Sequence, residues 1–265
     1  MNKVTRSIVV GLMLAVIISP LIPLILYAFS YEIAYPSIFP DHFTLVSFEL
    51  INRYYDIFDV MVKSLVLSTV VTFASLIIGY YPAKFIGTTD FKGKRFIELI
   101  LILPALATAI TIVFGLIPIM SRIGIFGSLL GLGLGEMTFT LPYLIVSLVS
   151  VFRNYDLNYD DQAACLGLDK INTELMVTIP QVRSGVAVGC MFTFIVSWSM
   201  YLFAAIFAPK GFDTMATLLY PQVMTLINYN YTAAITLLFF MPALIVLFLS
   251  SRVVGSDDNN IRGGQ

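Results

Sequence analysis

The sequence is short of the side chains that enzymes most often use for catalysis and for metal binding. It contains one histidine and two cysteines among 265 residues. A single histidine excludes a histidine-rich metal site and leaves little for histidine-based catalysis. The cysteines, Cys165 and Cys190, lie in segments that we expect to be a cytoplasmic loop and a membrane helix, so no disulfide is expected. The sequence therefore predicts no catalytic site and no metal site.

Charged residues are also scarce. Lys, Arg, Asp and Glu make up 12% of the chain, and the net charge is −1. This is about half the charged share of a typical soluble domain, and it provides no basic patch for nucleic acid. The chain also lacks the GxxxxGK[ST] loop that holds ATP phosphates in many proteins. We therefore expect no nucleic-acid partner and no cofactor bound by this chain.

Long hydrophobic runs are what the chain has instead. Hydrophobic residues make up 58% of it, and its runs of about eighteen or more apolar residues can each cross a bilayer as a helix. A helix pairs all its backbone polar groups internally, as lipid requires. The sequence thus predicts an all-α membrane protein with six transmembrane helices in one domain, residues 1–265. The predicted spans are residues 7–30, 61–86, 97–120, 129–152, 184–208 and 231–252.

The distribution of positive charge predicts the orientation in the membrane. With the N-terminus inside, eleven of the fifteen Lys and Arg residues fall on the cytoplasmic side. Both termini and the segment 153–183 are then cytoplasmic. The apolar run 8–29 is too long for the core of a signal peptide, so we interpret it as a retained first span. The half-polar segment 31–60 is either a short helix at the outer interface or an ordered outer loop.

The cytoplasmic segment between the fourth and fifth spans has its own pattern. Asn158 is a candidate N-cap, and two carboxylates follow in the first turn. Gly167 is a natural helix stop because glycine adopts positive φ at little cost. A second short helix is expected at 174–177, and Pro180 is expected to break it before the fifth span. From composition alone, this segment is equally well described as an ordinary long loop with two helical turns.

The spacing within this segment resembles the EAA motif of the permease subunits of type I ABC importers. In that family the motif is Glu-Ala-Ala, three residues, Gly, and a stretch that ends in a hydrophobic residue and Pro. Two positions depart from the pattern, because an aspartate replaces the usual glutamate and a glutamine replaces the first alanine. The residues that align with the motif are Asp161, Gln162, Ala163, Gly167, Ile179 and Pro180, with Ala164 beside them on the same helix.

The resemblance covers nearly the whole chain and implies a permease subunit that binds no ATP itself. It implies a cytoplasmic ABC ATPase dimer that holds ATP and Mg²⁺ and grips the loop 158–180. It also implies a second permease, which in the polyamine-like group is more often a different chain than an identical one. It further implies an extracytoplasmic solute-binding protein and a location in the bacterial inner membrane. The residues implied in ATPase coupling are Asp161, Gln162, Ala163, Ala164, Gly167 and Pro180.

Three further segments resemble the spermidine/putrescine group of permeases. They are residues 138–143, 197–201 and 217–220. This similarity implies a small charged organic solute such as a polyamine, with phosphonate, thiamine or ferric-ion import as alternatives. A gradient-driven transporter would need buried acids or broken helices at mid-membrane, and a membrane-embedded enzyme would need paired catalytic groups. The sequence offers little for either.

A few polar residues inside the predicted spans are candidates for the translocation pathway. Glu136 is either a pore-facing acid that could meet a cationic solute or an interfacial acid near the outer surface. Polar and aromatic residues in the fifth span either line the pore or form hydrogen bonds between helices. These residues are Ser197, Trp198, Ser199 and Tyr201.

Overall fold

The structure is a computed structural model that describes residues 3–30, 42–225 and 228–263. Within these ranges the regular structure is helical, apart from an isolated antiparallel bridge between Ser30 and Phe43. The α-helices are α1 (Lys3–Ile18), α2 (Leu21–Ala28), α3 (Val46–Tyr54), α4 (Ile57–Thr88), α5 (Lys94–Leu106), α6 (Ala109–Arg122), α7 (Leu129–Phe152), α8 (Asn158–Cys165), α9 (Lys170–Thr173), α10 (Ile179–Trp198), α11 (Tyr201–Phe207), α12 (Met215–Thr225) and α13 (Tyr229–Gly263). A π-helical turn, Glu174–Thr178, joins α9 to α10 and is called the π-turn below.

Four helical segments in the described ranges are long and apolar enough to cross a membrane. They are α4, α7, the continuous segment Lys170–Trp198, and the Tyr229–Arg252 part of α13. Each overlaps one of the predicted spans, and the all-α prediction is confirmed for the described residues. The outer segment 31–60 contains the helix α3, and residues 31–41 lie outside the described ranges.

The predicted third span, 97–120, is not one continuous helix. It is divided into α5 and α6, which meet at an angle of 94°. Pro104 lies near the end of α5, where it cannot donate a backbone hydrogen bond, and Ala107 and Thr108 then adopt extended backbone. Counted as one bent span, this pair would be a fifth membrane crossing.

The predicted first span, 7–30, is also divided. Helix α1 ends at Ile18, and α2 begins after Ser19 and Pro20. Proline disfavours helical backbone at the residue before it, which places the break at this point. The Ser19 hydroxyl donates to the carbonyl of Val16 at 3.0 Å and satisfies one of the carbonyls at the end of α1. A six-helix topology with both termini in the cytoplasm therefore stays a prediction.

The predicted fifth span, 184–208, differs at both ends. Pro180 does not break the helix, because α9, the π-turn and α10 form one continuous path from Lys170 to Trp198. A π-helical turn is wider than an α-helical turn. Here it lies directly before Pro180, which is in the first turn of α10, so the wider backbone accommodates the proline ring. The helix instead ends at Trp198, and α11 restarts after Ser199 and Met200.

The centre of the bundle consists of α7 packed between α4 and α10 at close distance. A Cβ atom at Gly87 would lie only 2.5 Å from Cβ of Phe152, and one at Gly185 would collide with the side chain of Val151. Small residues allow helices to approach closely in lipid, where burial of apolar surface does not drive association. The buried face of α4 is likewise small or polar, with Ser64, Ser68, Thr72, Ser75 and Gly79 in succession.

Candidate functional site

The first helix of the cytoplasmic segment, α8, ends at a glycine as predicted. Gly167 has φ of 87°, and the N–H groups of Gly167 and Leu168 donate to the carbonyls of Ala164 and Ala163 at 3.0 and 3.1 Å. These bonds satisfy carbonyls that the end of α8 would leave unpaired. The prediction that Asn158 caps the helix is wrong, because Asn158 is already its first residue. A carboxylate oxygen of Asp156 accepts from the Asn158 N–H at 3.0 Å instead.

The predicted coupling residues divide into an exposed set and one buried member. Ala163 is 4% exposed and packs inward, which only a small side chain permits. Asp161, Gln162 and Ala164 are exposed on α8, and Pro180 is exposed at the start of α10. Two large apolar side chains nearby are also open to solvent, Leu166 at 83% and Ile171 at 68%. Exposed apolar groups of this size, rimmed by polar ones, are typical of a protein interaction surface.

A lysine on α4 connects α8 to the π-turn. Lys84 Nζ lies 3.0 Å from Oδ2 of Asp160 and 2.7 Å from Oε2 of Glu174. It also donates to Oγ1 of Thr178 at 3.4 Å, so each of its three N–H groups has an acceptor. The three charged side chains are only 13–22% exposed, which limits their screening by salt.

Two tyrosines complete this cluster by donating to the same carboxylates. Tyr155 OH donates to Oδ1 of Asp160 at 2.5 Å, and Tyr80 OH donates to Oε1 of Glu174 at 2.5 Å. Thr178 donates to Oδ1 of Asp160 at 2.9 Å. We call the cluster the Lys84 network, and its members are Lys84, Asp160, Glu174, Tyr80, Tyr155 and Thr178.

The pKa values of Asp160 and Tyr155 reflect these contacts. Burial alone would raise the pKa of Asp160, but the hydrogen bonds from Tyr155, Lys84 and Thr178 hold that pKa below its ordinary value. Burial, together with the hydrogen bond to Asp160, raises the pKa of Tyr155 to about 12. Asp160 is therefore ionised and Tyr155 protonated at neutral pH, which is the state that the network requires.

The motif alignment uses Asp161, and the sequence predicts for Asp160 only a first-turn carboxylate and for Lys84 only a cytoplasmic positive charge. The structure directs Asp160 inward to Lys84 and leaves Asp161 exposed, so the two neighbouring acids have different surroundings. Helical periodicity could have separated them, because Asp160 and the buried Ala163 are three residues apart and therefore lie on the same face of α8. Nothing local in the sequence identifies Lys84, which lies 76 residues away from Asp160.

A groove of about 530 Å³ opens beside the network, between α8 and α9. Asp161, Ala164 and Ile171 line it together with Leu168 and Tyr81. Apolar and acidic groups at one rim can receive a side chain from a partner protein. Among the described residues, no group of three or more His, Cys, Asp or Glu side chains could hold a metal ion.

The pathway candidate Glu136 is buried inside the bundle. It is 1% exposed, and its Oε2 accepts a hydrogen bond from Ser197 at 2.5 Å. The two residues share a cavity of about 10 Å³ with Ser64 and Ser68 of α4. That volume is close to the space that one water molecule needs, so the bundle is closed at this point. Glu136 is therefore shielded from solvent, and its depth in the membrane stays a prediction.

The other pathway candidates have different surroundings. Trp198 is 3% exposed, and its indole N–H donates to the carbonyl of Phe239 at 3.1 Å. Ser199 is exposed at the break between α10 and α11, where its hydroxyl donates to the carbonyl of Val196. Tyr201 stacks on Tyr220 with ring centroids 4.1 Å apart. The structure thus brings Glu136 and Ser197 together and leaves Ser199 and Tyr201 at the helix break, with no described channel that joins them.

Comparison with known proteins supports the resemblance seen in the sequence. No protein-family model matches the chain. The chain is 25% identical over 232 residues to the inner membrane ABC transporter permease protein YcjP of Escherichia coli K12, across 84% of this chain and 81% of that protein. It is 22% identical to the spermidine/putrescine permease PotC of Shigella flexneri, across 73% and 72% of the two chains. Its match to PotB of Escherichia coli K12 is 23% identical across 72% and 76%.

Solved structures show the same fold. A bacterial ABC transporter involved in the import of the acidic polysaccharide alginate matches with a TM-score of 0.72 and 15% identity, across 94% of this chain and 95% of that one. A second structure of a bacterial alginate ABC transporter, in complex with a periplasmic protein that holds an alginate pentasaccharide, matches with a TM-score of 0.65 and 14% identity, across 95% and 94%. The homologues of this chain are therefore ABC transporter permeases, some of the inner membrane, and its fold is that of an ABC importer permease subunit.

Proposed function

We propose that the chain is a permease subunit of an ATP-driven ABC importer, forming half of a solute pathway and coupling to a cytoplasmic ATPase through the segment 158–180. The observation that carries this proposal is α8 itself. It is a short helix with exposed Asp161, Gln162 and Ala164, it ends at a glycine with positive φ, and it is anchored to the bundle by the Lys84 network. Similarity to permeases in sequence and in fold supports the same function.

The proposed topology has six spans in one domain, residues 1–265, with both termini in the cytoplasm. Helices α1 and α2 together form the first span, and α5 and α6 form the third as a bent pair. Breaks of this kind occur at membrane depth where protein surrounds the backbone or water fills a cavity. The excess of Lys and Arg on the cytoplasmic side supports the orientation.

The proposed partners follow from the two faces of the molecule. On the inner side, an ABC ATPase dimer holds ATP and Mg²⁺ and grips α8, whose exposed apolar neighbours Leu166 and Ile171 suit a protein partner. On the outer side, a solute-binding protein delivers the solute, which the periplasmic protein in the alginate transporter structure supports. The second permease is a different chain, since PotB and PotC are two permeases with the same system name.

The proposed solute is a small charged organic molecule such as a polyamine. The two spermidine/putrescine permeases among the relatives support this class, and Glu136 is the acid that would meet a cationic group when the bundle opens. ATP closes the ATPase dimer, α8 follows, and the bundle changes between an inward-open and an outward-open arrangement. In this scheme ATP shifts an equilibrium that the bundle already has.

Co-purification with Gly167→Asp tests the proposal. The chain is extracted from its native membranes in mild detergent, and its companions are identified by mass spectrometry. An aspartate at Gly167 strains a backbone with φ of 87° and adds a charge beside α8, so we expect the ATPase to be lost while the chain still inserts. Gly211→Asp is the matched control, because Gly211 has φ of 79° and equally open surroundings in the loop after α11.

The expected result is an ATPase that accompanies the wild type and Gly211→Asp but not Gly167→Asp. A second permease and a binding protein in the same preparation would support the proposed assembly. A chain that is recovered without any ATPase in all three forms would overturn the proposal and favour a gradient-driven transporter.

A further inference from the structure

We propose that Lys84 is the positioning residue that transmits most of the movement of α8 to the end of α4. This inference rests on the proposed function, since it assigns the route by which that ATPase acts on the bundle. The starting observation is that one ammonium group bonds to three acceptors on two other elements, Asp160 of α8 and the π-turn residues Glu174 and Thr178.

The position of Lys84 makes it a connection between helices that are far apart in the chain. It lies in the last turns of α4, whereas its acceptors follow it by 76 to 94 residues. Helix α8 packs mainly on the π-turn and α9, and its described polar contact with α4 is the ion pair between Asp160 and Lys84; Tyr80 of α4 bonds to Glu174 of the π-turn. Any displacement of α8 that preserves the two ion pairs has to carry the end of α4 with it.

The charges explain why the contact resists separation. Asp160 and Glu174 are two carboxylates brought to the same nitrogen atom, and the lysine between them offsets their mutual repulsion. Both pairs are mostly shielded from water, which strengthens them relative to pairs on an open surface. The lysine side chain also lies 5.9 Å from the ring centre of Tyr155, which adds a cation–π contact.

The π-turn is the second observation that points to transmission. Glu174 and Thr178 are its first and last residues, and Lys84 bonds to both. The π-turn leads directly into α10, one of the helices that pack on α7. Turns of this type are rare and occur often at functional sites. Lys84 therefore fixes α8, α4 and the start of α10 in one rigid unit.

Lys84 lines the groove but is mostly buried, so we expect docking of the ATPase to depend mainly on the exposed residues of α8. Without Lys84, Asp160 still accepts hydrogen bonds from Tyr155 and Thr178, which hold α8 against the π-turn. The exposed residues Asp161, Gln162 and Ala164 do not touch the lysine through any described hydrogen bond or ion pair. Loss of Lys84 should thus separate ATPase binding from movement of α4, which a general folding defect would not do.

The test uses the co-purified complex in lipid nanodiscs and a non-hydrolysable ATP analogue with Mg²⁺, so that no transported solute is needed. One spin label reports on α8 through the exposed Cys165, with Cys190 changed to Ala. Another reports on α4 at Ile77→Cys, a position that is 73% exposed and two turns from Lys84, with both natural cysteines replaced. Each label is measured with and without the analogue.

We expect Lys84→Met to retain the ATPase and the spectral response of α8 while the response of α4 falls at least threefold. Lys84→Arg should restore the α4 response, because a guanidinium keeps the charge and reaches two carboxylates. Lys63→Met is the matched control, since Lys63 is at the opposite end of α4, where it pairs with Asp59 one turn away and lies over the ring of Phe212.

Three results would overturn the inference. An unchanged α4 response in Lys84→Met would show that movement reaches α4 by another route. Loss of the ATPase in Lys84→Met but not in Lys63→Met would show that the lysine serves docking. A wild-type chain that carries no ATPase would overturn the proposed function as well. The first two results require a bound ATPase in the wild type, so they overturn only the inference about Lys84.

Discussion

Two polar clusters of the bundle, the Lys84 network and the residues around Glu136, differ in how completely their polar atoms are paired. In the Lys84 network the carboxylates of Asp160 and Glu174 each accept from the lysine and from at least one hydroxyl. Glu136 has one serine partner, and further along α4 and α7 the hydroxyls of Ser75 and Thr140 are buried without a hydrogen-bond partner. A cluster whose polar atoms are all paired favours one arrangement of the helices. Buried hydroxyls without partners favour a second arrangement in which they can form hydrogen bonds.

This difference indicates which part of the molecule stays assembled and which part exchanges its contacts. Thr140 lies one helical turn from Glu136, and Ser75 belongs to the small and polar face of α4. Water or solute entering between α4 and α7 would satisfy these hydroxyls. We therefore expect the Lys84 network to move as a unit and the polar face of α4 to become the opened pathway.

The largest effect should come from reversing the charge of the buried acid. Glu136→Lys places a cation without a carboxylate partner beside a cavity of about 10 Å³, and we expect it to destabilise the protein by about 3–5 kcal/mol. Glu136→Gln keeps an oxygen that can accept from Ser197 and should cost less than about 1 kcal/mol. Thermal unfolding in detergent measures both changes.

Equal stability of the two variants would mean that Glu136 is solvated and that the closed cavity does not describe the molecule. Ser199→Ala provides a control for the method, because Ser199 is exposed and its hydroxyl bonds only to a nearby carbonyl of α10. Its unfolding temperature should match that of the wild type.

A smaller effect is expected from removing one acid of the Lys84 network. Asp160→Ala leaves Lys84, Tyr155 and Thr178 without their shared acceptor, a loss on the order of 1–3 kcal/mol. Because 1.4 kcal/mol is a factor of ten, hydrogen exchange across α8 should accelerate by roughly ten to a hundredfold if α8 opens locally. Hydrogen exchange with mass spectrometry on the purified chain measures this.

The neighbouring substitution Asp161→Ala is the control for that experiment. Asp161 is exposed, and no described ion pair holds it, so exchange in α8 should change by less than about threefold. Equal acceleration in the two variants would contradict the assignment of Asp160 as the inward acid.

Local chemistry in the sequence predicted some of these features and not others. The stop of α8 at Gly167 was predictable, because positive φ is a property of that one residue and its neighbours. So was the helical nature of the long apolar runs, which follows from lipid as a solvent. The position of α4 relative to α8 was not predictable, because an ion pair between residues that are 76 positions apart depends on how the whole bundle packs.

The errors have equally specific causes. Pro180 was predicted to end a helix, but the π-turn before it accommodates the proline. The divisions of the first and third predicted spans follow prolines whose local effect hydropathy does not register. The close contact of Gly185 with Val151 was overlooked, although Gly185 and Gly189 form a GxxxG pattern that predicts tight helix packing.

The smallest effect should be a pH dependence confined to the cytoplasmic cluster. The pKa of Asp160 is lower in the folded protein than in the unfolded chain, so its ionisation stabilises the fold above the ordinary Asp pKa of about 3.9. As the pH falls through the lowered pKa, Asp160 takes up a proton and its contribution is lost. The mobility of a spin label on Cys165 should therefore rise as the sample is acidified below about pH 4.

Asp160→Asn should remove this dependence, because an amide has no proton to gain in that range. Glu174 and Lys84 face Asp160 within the network, so Glu174→Gln is needed to separate their contributions. The Glu136 cluster faces no lysine or arginine in the described ion pairs, and a label near Ser199 should show no matching transition. A parallel transition at both positions would mean that acid loosens the bundle as a whole, and the two clusters would then not be independent.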